Sequence, residues 1–152
     1  MMIRKAVVAD VSEIKKLIEP FVKDGLILPK SLHSLYTTIR DFWILTDETG
    51  LFIGCSAVQV SWDDIGEIRT LAVRKDMQGR GHGLELVRTC ISEAKELGLK
   101  KVFTLTYKEG FFKKAGFKHV DKSKLPNKIW ADCIHCPHFP DCDETAMIFT
   151  IR

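Results

Sequence analysis

Three glycines at alternate positions, Gly79, Gly81 and Gly83, stand between a strand-like run, Ile68 to Val73, and an amphipathic helical pattern. Glycine lets a backbone turn tightly and bring its N–H groups close to a ligand. A helix N-terminus adds unpaired N–H donors and the positive end of the helix dipole, so this junction suits a phosphate. Arg80 places a flexible positive charge beside it. A dinucleotide fingerprint needs G-x-G-x-x-G, whereas the spacing here is G-x-G-x-G. A P-loop needs a Lys followed by Ser or Thr, and Leu84-Glu85 occupy that place. The chemistry indicated is retention of a phosphorylated cofactor by backbone N–H groups. A tight turn with no ligand is the blander alternative, and glycine-rich loops that open helices commonly bind anions.

A second constellation lies near the C-terminus. Cys133-x2-Cys136-x5-Cys142, with His135 and His138 among them, resembles metal-ligand spacing. Structural zinc takes four N or S ligands, which three Cys and one His could supply. The competing reading is reduced cysteines in a loop folded by Pro137, Phe139 and Pro140, because the second C-x2-C pair of a strong zinc pattern is missing. Structural zinc stays open, and no metal ligand is assigned.

The elements that must position these residues follow from periodicity. Met2 to Val8 reads as a first strand. Asp10 with Glu13 has the form of a helix N-cap, and Ile14, Leu17, Ile18 and Phe21 mark one helical face. Ser31 caps a second helix with the stripe Leu32, Leu35, Tyr36 and Ile39. Phe42 to Thr46 and Leu51 to Val60 flank Asp-Glu-Thr-Gly as a hairpin, and the Ile68–Val73 strand follows. The helix opening at Gly83 carries Leu84, Val87, Ile91, Ala94 and Leu97 on one face and ends at Gly98. Lys101 to Tyr107, rich in β-formers, reads as a central strand; Glu109 to Ala115 is a short helix, and Gly116-Phe117 starts a return strand. The stretch from Lys122 to Asp143 reads as a long loop and Thr145 to Ile151 as the last strand. The order β-α-α-β-β-β-α-β-α-β-β predicts an α/β (α+β) fold, a mixed central sheet with flanking helices in a single domain over 1–152.

Composition narrows the class of partner. The chain has 152 residues, 45% hydrophobic and 28% charged, which suits a globular domain with a real core. A net charge of +3 is too mild to argue for nucleic acid but suits a polyanionic small molecule. No apolar run reaches the roughly 20 residues of a membrane span, and the N-terminus lacks a signal-peptide core, so a cytoplasmic address is expected. Five cysteines without a secretory signal argue against a disulfide framework; Cys55 and Cys90 fall at apolar positions and read as buried hydrophobes. Whether the chain works alone or as a homodimer is left open.

The pattern Gln78-Gly79-Arg80-Gly81-His82-Gly83, preceded by Leu71-Ala72-Val73, resembles the Q/R-x-x-G-x-G/A acyl-coenzyme A site of the GNAT acetyltransferase superfamily. Phe111 to Phe117 resembles that superfamily's F-Y-x-x-x-G-F segment. The resemblance implies acetyl-CoA as co-substrate. It implies that Gln78, Gly79, Arg80, Gly81, His82, Gly83 and Leu84 surround the pyrophosphate, and that Leu71, Ala72 and Val73 offer backbone groups to the pantetheine arm between two splayed strands. Acetyl transfer to an amine uses a base near the amine, and Glu67 looks like the fourth-strand glutamate that serves some members as general base. The position where many members carry an acidic Tyr is Phe112, which cannot protonate a thiolate. Tyr107 is the remaining candidate acid, with solvent as the alternative.

A closer resemblance concerns the acceptor. Leu-Pro-Lys-Ser-Leu (28–32), Ile-Arg-Asp-Phe (39–42), Glu-Ile-Arg-Thr-Leu-Ala-Val (67–73) and the tail Asp-Cys…Cys-Pro…Phe-Pro…Cys-Asp-Glu are similar to the acetyltransferase domain of bacterial N-acetylglutamate synthases. That implies acetylation of the α-amine of L-glutamate, the first step of arginine biosynthesis. A dicarboxylate wants cations, and Lys30, Arg40 and Arg69 are the candidates; Arg69 shares a strand face with Glu67. Another small amine acceptor, or a non-catalytic acyl-CoA-binding module, is the alternative. Longer family members carry an N-terminal kinase-like domain that senses arginine. A chain starting at the acetyltransferase strand would leave arginine feedback to another route.

Overall fold

The computed structural model describes residues 1–125 and 144–152. The cysteine cluster and its histidines lie outside the described residues. The order is β1 (Met2–Lys5), α1 (Val11–Lys23), α2 (Leu32–Thr37), β2 (Phe42–Thr46), β3 (Phe52–Val60), β4 (Ile65–Val73), α3 (His82–Glu96), β5 (Lys101–Thr106), α4 (Glu109–Lys114), β6 (Lys118–His119) and β7 (Thr145–Thr150). One mixed sheet runs β1-β2-β3-β4-β5-β7-β6, antiparallel except where β4 meets β5. The expected order and the internal place of β5 both hold. No helix among the described residues is long and apolar enough to cross a membrane.

Strand alternation divides the core between the two faces. Phe42, Ile44, Cys55, Ala57 and Ala72 pack with Ile14, Leu17, Ile18 and Phe21 of α1 and with Leu35 of α2. Val58, Ile68, Val102 and Met147 pack with Val87, Cys90 and Ala94 of α3 and with Phe112 of α4. Helices thus cover both faces of β4, with α1 on one side and α3 on the other, whereas the second face of β5 packs through Phe103 on Ile65, Leu125 and Ala146.

Several boundaries differ from the sequence expectation for identifiable reasons. Asp10 sits at the N-cap of α1 but makes no side-chain cap bond. Its carboxylate instead takes the Arg4 guanidinium at 2.7 and 2.9 Å and the Val7 N–H at 2.8 Å. The Arg4 partner outcompetes the cap because a charge-assisted bidentate pair is stronger. The Ser31 cap does form, with its hydroxyl oxygen accepting from the Ser34 N–H at 3.0 Å, yet α2 is only six residues long and leaves Leu32 and Tyr36 exposed. The buried face of α3 is rotated from expectation: Leu86 and Cys90 point inward, and Leu97 is 58% exposed. Strand β4 begins at Ile65 rather than at the expected Ile68, so Glu67 lies inside it as the third residue.

Candidate active site

The site begins where a hydrogen-bond ladder stops. β4 and β5 pair in parallel only through Ile65, Gly66 and Glu67 against Lys101, Val102 and Phe103. Beyond that point β4 continues to Val73 and β5 to Thr106 with no further pairing between them. Thr104 Oγ1 donates to the Ile68 carbonyl at 3.1 Å, which satisfies one acceptor at the fork. On the other edge of β4 a bulge sets Ser56 of β3 against both Thr70 and Leu71, and Thr70 takes a left-handed φ of 53°. A non-glycine residue there is strained, and such strain clusters at functional sites. The resulting cavity is about 920 Å³, walled by β4, the end of β5, the α1–α2 loop, the glycine loop and α4.

The glycine loop forms one end of that cavity. Gly79 and Gly81 adopt φ of 79° and 86°, which explains why both are glycines. Gly81 is the N-cap of α3, and the first intrahelical bond runs from the Glu85 N–H to the Gly81 carbonyl at 3.1 Å. The N–H groups of the first turn are therefore left for a ligand, and His82, Gly83 and Leu84 line the cavity beside Gln78, Gly79 and Gly81. A Cβ on Gly83 would sit 3.2 Å from the Phe111 ring, so the glycine also lets α3 approach α4 closely. The Gln78 amide donates to the Val73 carbonyl at 3.0 Å, tying the loop to the strand end. Leu71, Ala72 and Val73 all line the cavity. Arg80 is exposed on the loop and does not line it. Lys75, Lys108 and Lys114 border the opening, a charge balance suited to phosphates.

Glu67 occupies the apex of the fork, opposite Phe103 in the last paired step. Its side chain is 14% exposed, and Arg69, 17% exposed, places Nε 3.8 Å from Glu67 Oε1. A second bond runs from Arg69 to the side-chain oxygen of Gln59, which faces Glu67 across the β3–β4 ladder. Lys30 lines the cavity from the α1–α2 loop. Arg40 is exposed in the 3-10 turn before β2 and does not line this cavity. Tyr107 enters the cavity just past β5, and Phe112 lies there too, 4% exposed and edge-on to Phe111 and Phe117. Glu144, immediately before β7, brings a second carboxylate into the cavity. Periodicity held no sign of Glu144, Gln59 or the Thr70 bulge. Among the described residues, no group of three or more His, Cys, Asp or Glu could hold a metal ion.

A family model for the acetyltransferase (GNAT) domain matches residues 38–119. The chain is 38% identical to an uncharacterized N-acetyltransferase of Chlorobaculum tepidum, over 98% of this chain and 96% of that protein. It is 35% identical to an amino-acid acetyltransferase of Mycobacterium tuberculosis, over 84% of this chain and 74% of that protein. In three dimensions it superposes on N-acetylglutamate synthase from Neisseria gonorrhoeae, complexed with coenzyme A and N-acetyl-glutamate, with a TM-score of 0.90 and 28% identity. That alignment covers 99% of this chain and 35% of the other. The chain belongs to the GNAT acetyltransferase family.

Proposed function

We propose that this GNAT acetyltransferase transfers the acetyl group of acetyl-CoA to the α-amine of L-glutamate, the opening reaction of arginine biosynthesis, in the cytoplasm. The observation that carries the reading is the grouping of Glu67, Arg69 and Lys30 on one cavity that the glycine loop closes at its far end. A base and two cations beside an acyl-CoA site suit an amino acid with carboxylates. The amino-acid acetyltransferase relative and the N-acetylglutamate synthase neighbour support the same acceptor class.

Acetyl-CoA supplies the acetyl group as a thioester. The glycine loop and the first turn of α3 offer N–H donors to its pyrophosphate, and the edge of β4 beyond Glu67 offers backbone groups to its pantetheine arm. The splay of β4 from β5 leaves those edge groups accessible. Lys30 and Arg69 orient the acceptor by its carboxylates. Glu67 takes a proton from the amine, directly or through water, as the C–N bond forms and the C–S bond breaks. The departing sulfur takes a proton from the Tyr107 hydroxyl or from water, since the buried Phe112 ring has none to give.

A thiol-release assay with acetyl-CoA across the amino acids tests the reading. Release with glutamate well above that with simple aliphatic amino acids is expected. No release with any amino acid would overturn the enzyme reading, and equal release with alanine would overturn the acceptor.

A further inference from the structure

Across the β3–β4 ladder, Gln59 stands directly opposite Glu67, and Ala57 directly opposite Arg69. Ala57 is too short to occupy the space beside the Arg69 guanidinium. The guanidinium reaches the diagonal neighbour instead, and its Nη1 donates to Gln59 Oε1. Gln59 also lines a recess of about 370 Å³ that shares Lys30, Arg69 and Thr70 with the main cavity, so its amide lies at the acceptor end of the site. One cation thus stands between a neutral amide and the proposed base.

The two contacts are unequal. Nη1 is hydrogen-bonded to Gln59, whereas Nε stands 3.8 Å from Glu67 Oε1, beyond hydrogen-bonding distance. A guanidinium and a carboxylate free to approach each other favour a planar bidentate pair. Arg69 and Glu67 are 17% and 14% exposed, so solvent would screen such a pair only weakly. A carboxylate held by both oxygens offers less to an amine, and the closer positive charge makes it a weaker base. Anchoring the guanidinium on Gln59 prevents that closure and keeps its other N–H groups turned to the site. The remaining charged and titratable groups that border this point are Lys30 of the α1–α2 loop, Tyr107 and Lys108 after β5, Glu144 before β7, and Asp41 in the 3-10 turn before β2. Asp41 is the rival destination for a released Arg69, whose charge already acts on it.

We infer that Gln59 is a positioning residue of the acetyl transfer: it holds Arg69 off Glu67, so that the carboxylate stays available to the amine and the guanidinium stays turned to the acceptor. The inference rests on the proposed role of Glu67 as base, and not on which amino acid is acetylated.

The test is the pH dependence of steady-state rates in wild type, Gln59→Leu and Gln59→Glu, at saturating acetyl-CoA and with the amino acid that is turned over fastest. In Gln59→Leu the guanidinium closes on Glu67. The plateau kcat should fall about tenfold, and the acidic limb of the kcat profile should move to lower pH by about half a pH unit or more. The KM for the amino acid should rise while that for acetyl-CoA stays unchanged. In Gln59→Glu a carboxylate faces Glu67 and draws Arg69 further from it, so the limb should move to higher pH. A residue that only supports the strand would lower rates or Tm without moving the limb in opposite directions. Glutamate keeps the length and polarity of the native side chain, so this variant carries the test alone if leucine unfolds the strand. Limbs that coincide in all three proteins overturn the inference. So does an upward shift in Gln59→Leu, which would mean that the released Arg69 turns to Asp41. Glu67→Gln separates the inference from the reading beneath it. A loss of kcat there, beside unmoved limbs in the Gln59 variants, leaves the base standing and removes the role of Gln59; an unchanged kcat removes both.

Discussion

Gly81→Ala isolates what the glycine loop contributes. Gly81 caps α3 at φ 86° and ψ 2°, and a Cβ built there meets nothing within 4 Å. Steric crowding is therefore absent, and the whole effect comes from the backbone. An L-residue in the left-handed region costs about 1–2 kcal/mol relative to glycine. If the loop keeps its shape, the cost appears as lost stability, lowering Tm by about 2–4 °C per kcal/mol in a chain of this size. If the loop relaxes, the first-turn N–H groups of α3 turn away from the cavity and the cost appears in cofactor binding. About 1.4 kcal/mol then raises the KM for acetyl-CoA tenfold. The expected result is a combination, with Tm lower, KM for acetyl-CoA raised about 3–10-fold and kcat within twofold, because the reacting atoms sit at the other end of the cavity. Gly110→Ala is the control. Gly110 lies within α4, and nothing lies within 4 Å of its built Cβ. Alanine there should leave KM unchanged and raise stability by about 0.5–1 kcal/mol. Thermal melts and acetyl-CoA titrations of both variants measure this. A Gly81→Ala protein matching wild type in both Tm and KM would refute the reasoning.

Three further outcomes follow from particular residues. Glu67→Gln should lower kcat about 10²–10³-fold at neutral pH with little change in the KM for acetyl-CoA, read from steady-state rates; an unchanged kcat would remove Glu67 as the base. Arg4 holds the Asp10 carboxyl below its usual 3.8, so the pair stabilises fully above that pH and loses its contribution as pH falls through the lower folded value. Asp10→Asn should therefore cost about 1–2 kcal/mol near neutrality, discounted for the solvent that reaches Arg4, and in urea melts the gap should narrow progressively as pH falls below 3.8. Burial pushes the Cys55 and Cys90 thiols up to about 12, so neither should react with iodoacetamide at pH 8 until the protein is denatured; peptide mass mapping reads both sites.

The glycine spacing, the strand before it and the Phe-Phe…Gly-Phe segment were enough to indicate the family fold and a glycine loop opening α3, which the fold sets on the cavity. Those features are local: a left-handed turn, a helix start and a period-two strand are written in neighbouring residues. Glu67 and Arg69 were legible as a pair because residues two apart on a strand share a face, and their 3.8 Å contact agrees. The α3 stripe was misjudged because Leu84 and Leu97 look apolar in sequence, while the cavity and solvent claim them. Asp10 holds the N-cap position that the sequence indicates, but nothing in the sequence shows Arg4 claiming its carboxylate from six residues away. The fork between β4 and β5, the Thr70 bulge, and the meeting of Gln59 and Glu144 with the site were decided only by tertiary structure. Each depends on elements brought together from distant parts of the chain. A local pattern can say that a residue is polar or strand-forming, but not which carboxylates the fold will gather at one cavity.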